Sequence, residues 1–137
     1  MPSPKALLDT DTLSAIMKGN PVAVPRARSY LVEHGVFTLS IITRYEILRG
    51  LKAKSATARI EAFDRLCESS VILLLTDEVI VRAAEIYAGL KARGEPIGDA
   101  DILIGASALV HGLVLVTNNE DHFKRIPGLQ IDNWVRE

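Results

Sequence analysis

Short apolar runs alternate with longer stretches in which apolar residues recur every three or four positions. Ala6-Leu7-Leu8 is an unbroken apolar run that ends at Asp9 and predicts a buried strand. Asp11 then reads as an N-cap for a helix over Thr12–Lys18, which Gly19-Asn20-Pro21 stops. A second helix is predicted over Val24–Glu33, and Gly35 turns the chain into a strand at Val36–Leu39. Ser40 can cap a helix over Ile41–Leu48 that ends near Gly50, and a polar stretch leads to a helix near Ala58–Glu68. Val71–Leu75 predicts a third strand. Thr76-Asp77-Glu78 opens a long helix with Val79, Ala83, Ile86 and Leu90 on one face. After the loop Gly94–Gly98, a helix beginning at Asp99 runs to Gly112. A strand at Leu113–Thr117, a loop or short helix at Asn118–Phe123 and an edge strand at Leu129–Asp132 complete the pattern.

Apolar strands alternating with helices indicate an α/β fold, with a short, mainly parallel sheet covered on both faces. In such sheets, ligands sit beyond the carboxyl ends of the strands. With 137 residues and no internal repeat or long linker, a single domain is expected over residues 1–137.

Hydrophobic residues make up 48% of the chain and charged residues 24%, the balance of a soluble globular protein. No apolar run reaches the roughly 18 residues that span a bilayer, and the opening residues lack a signal-peptide pattern. A cytoplasmic protein with no membrane attachment is expected, and the single Cys67 fits a reducing compartment. Cys67 follows Phe63 and Leu66 in helical spacing and reads as core packing. The net charge of −1 makes no bulk case for nucleic-acid binding, but its distribution is uneven. Residues 1–60 carry nine Lys or Arg against four Asp or Glu; residues 61–137 carry seven against thirteen. The first part therefore allows a basic surface that includes Arg26, Arg28, Arg44, Arg49, Lys52 and Lys54.

The acidic residues supply the candidate chemistry. Asp9 closes the first strand, with Asp11 two residues on. Glu46 falls on or beside the apolar stripe of Ile42 and Tyr45, where an unpartnered carboxylate is costly. Asp99 and Asp101 open the helix before Ile102-Leu103-Ile104, and Thr117-Asn118-Asn119 follows a strand. Asp11 reads equally as a simple cap, and Asp99 as a favourable charge at a helix N-terminus. Together these positions fall at one sheet edge, where mutual repulsion calls for a hard divalent cation. Magnesium takes oxygen ligands at about 2.1 Å, often one or two carboxylates with waters and a substrate phosphate. Such an ion can activate a water for attack on a phosphodiester while Lys and Arg hold neighbouring phosphates.

Four segments resemble the motifs of the PIN-domain family, in particular its VapC-type toxins. They are Ala6-Leu7-Leu8-Asp9-Thr10-Asp11-Thr12-Leu13-Ser14, Ser40–Gly50 around Glu46, Pro96–Ala106 around Asp99 and Asp101, and Leu115–Phe123 with Ile126-Pro127-Gly128-Leu129 and Trp134. The resemblance covers almost the whole chain and implies a three-layer α/β/α sandwich. It further implies a metal-dependent endoribonuclease, usually a homodimer, that a VapB-like antitoxin holds inactive. Asp9 and Asp101 would be ligands to magnesium, with manganese as the alternative. Glu46 and Asp99 would assist catalysis, and Thr117, Asn119 and Asp11 would support the site. Arg44 and Arg49 are the candidate RNA contacts.

The fourth motif departs from the pattern. Many relatives carry an acid directly before its Phe, where this chain has His122. Glu120 and Asp121 are the candidate substitutes, and a single well-occupied magnesium is expected. His122 reads as a surface loop residue or as a phosphate or base contact. Two other readings compete. A haloacid-dehalogenase-type phosphatase would use Asp9 as a nucleophile, but its later motifs stand here in the wrong order. A PIN-like module that binds RNA or a partner without cutting is the non-enzymatic alternative. Walker A and Gly-x-Gly-x-x-Gly loops are both absent.

Overall fold

Central strands buried on both faces need apolar residues at every position, and the first strand has them. The structure, a computed structural model, describes residues 3–137. Its elements follow in the order β1 (Ala6–Leu8), α1 (Thr10–Met17), α2 (Ala23–His34), β2 (Thr38–Ser40), α3 (Ile41–Ala53) and α4 (Thr57–Glu68). Then come β3 (Val71–Leu73), α5 (Asp77–Ala92), α6 (Asp99–Val110), β4 (Val114–Val116), α7 (Glu120–Phe123) and β5 (Ile131–Asp132). The strands form one sheet in the order β3-β2-β1-β4-β5, and every neighbouring pair is parallel. Leu8 lies opposite Leu39 on one side and Val116 on the other, so β1 and β4 end together and β2 runs one residue further.

Alternation along the strands splits the core in two. Ala6, Leu8, Leu39 and Val116 pack with Leu13, Ala27, Tyr30, Ile47 and Phe63, beneath α1 to α4. Leu7 and Leu115 pack with Val79, Ile86, Leu90, Ile104, Phe123 and Ile126, beneath α5 to α7. The result is the expected three-layer α/β/α sandwich. The chain moves from β1 outward to β2 and β3, then crosses back to β4 on the other side of β1. This reversal leaves a crevice beside the end of β1, the usual place for a ligand site in such a sheet.

Several boundaries differ from the sequence-based expectation. Asp9, not Asp11, caps α1: its backbone is extended and its side chain accepts from the Thr10 N–H. Asp11 lies inside the first helical turn. α3 runs through Gly50 to Ala53, because exposed Gly50 keeps helical backbone angles while Ile47 and Leu51 pack inward. The strands are three residues or fewer, with β2 shifted to Thr38–Ser40. Val71, on the edge strand β3, is 46% exposed. Tyr45 is not on the apolar stripe of α3. It is 59% exposed, and the buried positions of that helix are Thr43 and Ile47. Gly19 ends α1 and Gly35 ends α2 with φ of 80° and 83°, backbone that L side chains disfavour. Cys67 is buried in the core as expected. Among the described residues no helix is long and apolar enough to cross a membrane.

Candidate active site

Asp9 stands at the crevice where β1 gives way to α1. It is only 5% exposed. One carboxylate oxygen, Oδ1, accepts from the Thr10 backbone N–H at 2.8 Å, and Oδ2 accepts from the Thr117 hydroxyl at 2.8 Å. Burial pushes its pKa up, and the charge on Asp11 pushes it further. The bonds from Thr117 and Thr10 pull it down, and the charge on Asp101 adds a last upward push. The outcome is a rise from 3.8 to about 7. Desolvation disfavours the charged form, and like charges add to the cost.

The other acids surround this one. Exposed Asp11 receives the Asn118 backbone N–H on its carboxylate, at 3.2 Å to Oδ2. Glu46 comes in from α3: the Thr10 hydroxyl donates to its Oε1 at 2.7 Å, and Arg49 Nη2 lies 3.7 Å from Oε2. That hydroxyl is also 3.0 Å from the hydroxyl of Thr43. Glu46 thus has the partners its half-buried position demands. Asp101, in the first turn of α6, is half-buried and lies with Oδ2 3.0 Å from His122 Nδ1. The Asn119 side-chain amide is 2.9 Å from the same ring nitrogen, and the Asn119 backbone N–H donates to Thr117 Oγ1 at 2.9 Å. A continuous polar network therefore runs from Asp9 through Thr117 and Asn119 to His122 and Asp101. Asp99 is exposed, and among the described residues its side chain makes no hydrogen bond or ion pair.

Neither expected substitute for the missing acid of the fourth motif reaches this network. Glu120 is held by the Asn133 side-chain amide at 2.9 Å and by Arg136 at 3.1 Å. Asp121 is exposed and pairs with Lys124 at 3.2 Å. His122 is the residue of α7 that reaches Asp101, so it is no idle loop histidine.

Among the described residues no three acidic, histidine or cysteine side chains converge closely enough to cage an ion. The donors are nonetheless hard carboxylate oxygens, and Asp9 is an anion short of counter-charge. That set fits a divalent cation bound through one or two carboxylates and completed by water or substrate oxygens, the habit of magnesium. Beside Glu46 a groove of about 580 Å³ opens between α1, α3 and α4. Lys18, Lys54 and Arg59 line it together with Thr10, Glu46 and apolar residues such as Met17 and Leu51. Of the two expected RNA contacts, Arg44 is engaged within the chain, 3.0 Å from Asp64 and above the ring of Phe63. Arg49 lies over the exposed ring of Tyr45 beside Glu46.

Sequence reasoning missed Thr10, Thr43, Lys18, Arg59 and Asn133. Thr10 had a visible signal, a hydroxyl between two candidate acids. Asn133 had none: its buried amide joins Asn118 to Glu120 across 13 to 15 residues of chain.

The PIN domain family model matches residues 6–129. The chain belongs to the PIN domain family. Relatives of this PIN domain include the tRNA(fMet)-specific endonuclease VapC of Salmonella typhimurium, 32% identical over 134 residues. That match covers 95% of this chain and 98% of the relative. Ribonuclease VapC1 of Methanocaldococcus jannaschii is 33% identical over 129 residues, covering 93% and 86%. Among solved structures, DNA-bound VapBC from Salmonella typhimurium is similar at a TM-score of 0.85 and 29% identity, covering 96% and 99%. Membership of the family removes the haloacid-dehalogenase alternative.

Proposed function

We propose that this PIN domain is the toxin of a toxin–antitoxin pair and an endoribonuclease that cuts single-stranded or loop RNA with the help of magnesium. The observation that carries the reading is Asp9, a carboxylate raised to about 7 by burial and by the nearby charges of Asp11 and Asp101, so that a bound cation would relieve it. The relatives named as VapC ribonucleases and the VapBC complexes support the same class of activity and a VapB-like partner.

Asp9 and Asp101 are the residues to hold the ion, which when bound would supply Lewis acidity and positive charge at a phosphate oxygen. Thr117 and the Thr10 N–H fix the orientation of the Asp9 carboxylate. Glu46 is the candidate base. Its Oε1 accepts from Thr10 and its Oε2 faces Arg49 at 3.7 Å, which orient the carboxylate to take a proton from the attacking water. Asn119 positions the turn after β4, and Asp11 and Asp99 add negative charge that strengthens attraction for a cation. Arg49, with Lys18, Lys54 and Arg59 along the groove, offers positive charge to the phosphates on either side of the cut. The molecule works in the cytoplasm as a homodimer in this reading, with the antitoxin closing the site.

The test is direct. Purified chain incubated with single-stranded RNA should cut it, EDTA should stop the reaction, and added magnesium should restore it. Expression without an antitoxin should arrest growth, and Asp9→Asn should relieve the arrest. Binding of RNA without any cleavage, unaffected by metal, would point instead to a module that does not cut.

A further inference from the structure

Buried aromatic rings fill cores, whereas an exposed ring beside a reaction site has a π-face to offer a ligand. The chain has three Tyr, three Phe and one Trp, and all of these rings are buried except Tyr45 and Tyr87. Tyr87 stands on α5, which gives no residue to the candidate site. Tyr45 stands on α3 and immediately precedes Glu46. It belongs to neither core layer, and the buried Thr43 and Ile47 anchor its helix without it. Arg49 links it to the site. The guanidinium carbon lies 5.2 Å from the centre of the Tyr45 ring, and Nη2 lies 3.7 Å from Glu46 Oε2. Spacing of four residues puts Tyr45 and Arg49 on one helix face. At about 100° per residue, Gly50, Ile47 and Leu51 lie roughly 40° to 140° from Glu46 in one sense, and Arg49 and Tyr45 roughly 60° and 100° in the other. The first three line the groove that carries Lys18, Lys54 and Arg59. The helix therefore sets a cationic groove on one side of Glu46 and an aromatic–cation pair on the other.

We propose that Tyr45, steadied by Arg49, is a stacking platform for one unpaired base of the RNA beside the bond that is cut. Splayed-out bases of single strands stack on aromatic rings and on guanidinium planes, and both surfaces are present here side by side. The positive charge of Arg49 also suits a phosphate next to the stacked base. A base inside a duplex has both faces covered by its neighbours, so the platform selects unpaired RNA. This role rests on the chain being an RNA nuclease, and it names the side chain that grips the base.

The experiment uses the full chain and a synthetic single-stranded RNA, with wild type, Tyr45→Phe, Tyr45→Leu and Tyr45→Ala compared side by side. Circular dichroism checks that each variant is folded. Cleavage is followed with magnesium, and binding is read separately as fluorescence anisotropy of the labelled RNA in EDTA. Tyr45→Ala and Tyr45→Leu should raise KM and Kd about tenfold with kcat within about twofold, whereas Tyr45→Phe, which keeps the ring, should match wild type. Abasic nucleotides placed one at a time around the cut should reveal one position where wild type loses the same tenfold and Tyr45→Ala loses nothing more. Equal Kd values across the series, or the lack of such a position, overturn the inference and leave the nuclease reading intact. So does a change from dimer to monomer in Tyr45→Ala by analytical ultracentrifugation, which would seat the ring on a second copy of the chain. RNA bound but never cut by wild type overturns the nuclease reading alone, and the Kd series still decides the role of Tyr45. RNA neither bound nor cut overturns both.

Discussion

Asp9→Asn should make the metal-free protein more stable at alkaline pH, although it removes a residue of the candidate active site. A carboxyl whose pKa rises from 3.8 to about 7 on folding opposes folding once it must ionise. The native state holds the extra proton between these two values, so stability falls as pH climbs from about 4 and levels off above about 7. Each pH unit between them is worth about 1.4 kcal/mol, so the full penalty at pH 8 is about 4 kcal/mol. Between pH 5 and pH 8 it grows by roughly 2–3 kcal/mol. Asparagine escapes this, at a pH-independent cost of about 1 kcal/mol because its amide has a single acceptor for the Thr117 and Thr10 donors. The pH-dependent difference is free of that cost. In EDTA, the melting temperature of Asp9→Asn minus that of wild type should rise by roughly 5–10 °C from pH 5 to pH 8. Scanning calorimetry or thermal melts followed by circular dichroism at half-unit pH steps measure it. A difference that stays flat over this range would refute the claim that Asp9 is an under-compensated buried anion. Adding magnesium at pH 8 should raise the wild-type melting temperature and leave that of the variant unmoved.

Thr117→Val keeps the shape of the side chain and deletes the hydroxyl that stabilises the Asp9 carboxylate, so the Asp9 titration midpoint, followed by carboxyl-carbon NMR, should move above 7. Gly105→Ala should destabilise the fold by about 1–2 kcal/mol despite better helix propensity, as read by denaturant melts. An added Cβ there would lie 2.5 Å from the tip of buried Ile126, with Leu129 and Phe123 also close. Asp101→Asn and Glu46→Gln should each cut RNA turnover on the order of a hundredfold or more while leaving the melting temperature within a few degrees of wild type. Arg44→Ala should change RNA cleavage far less than Arg49→Ala, because Arg44 is already paired with Asp64 whereas Arg49 stands beside Glu46; relative kcat/KM values decide it.

The order of elements and the buried face of α5 are written locally. Ala6-Leu7-Leu8 is apolar throughout because a central strand meets a core layer on each side, and the recurrence of Val79, Ala83, Ile86 and Leu90 marks one face of a helix. The position of Asp9 at the end of such a strand was readable in the same way, as was the clustering of acids at one sheet edge. Periodicity needs only neighbours in the chain, so no tertiary knowledge was required. Contacts between distant side chains are another matter. That Thr10 bonds Glu46 across 36 residues, that His122 meets Asp101 across 21, and that Arg44 turns to Asp64 across 20 follow from how α1, α3, α4, α6 and α7 pack. Local patterning also misplaced the cap of α1, since the choice between Asp9 and Asp11 depends on where β1 releases the backbone. The chain's own residue types decided that an acidic site would exist. Only the folded sheet, by bringing the ends of β1 and β4 side by side, decided that Asp9 is the desolvated acid and that Thr117 reaches it.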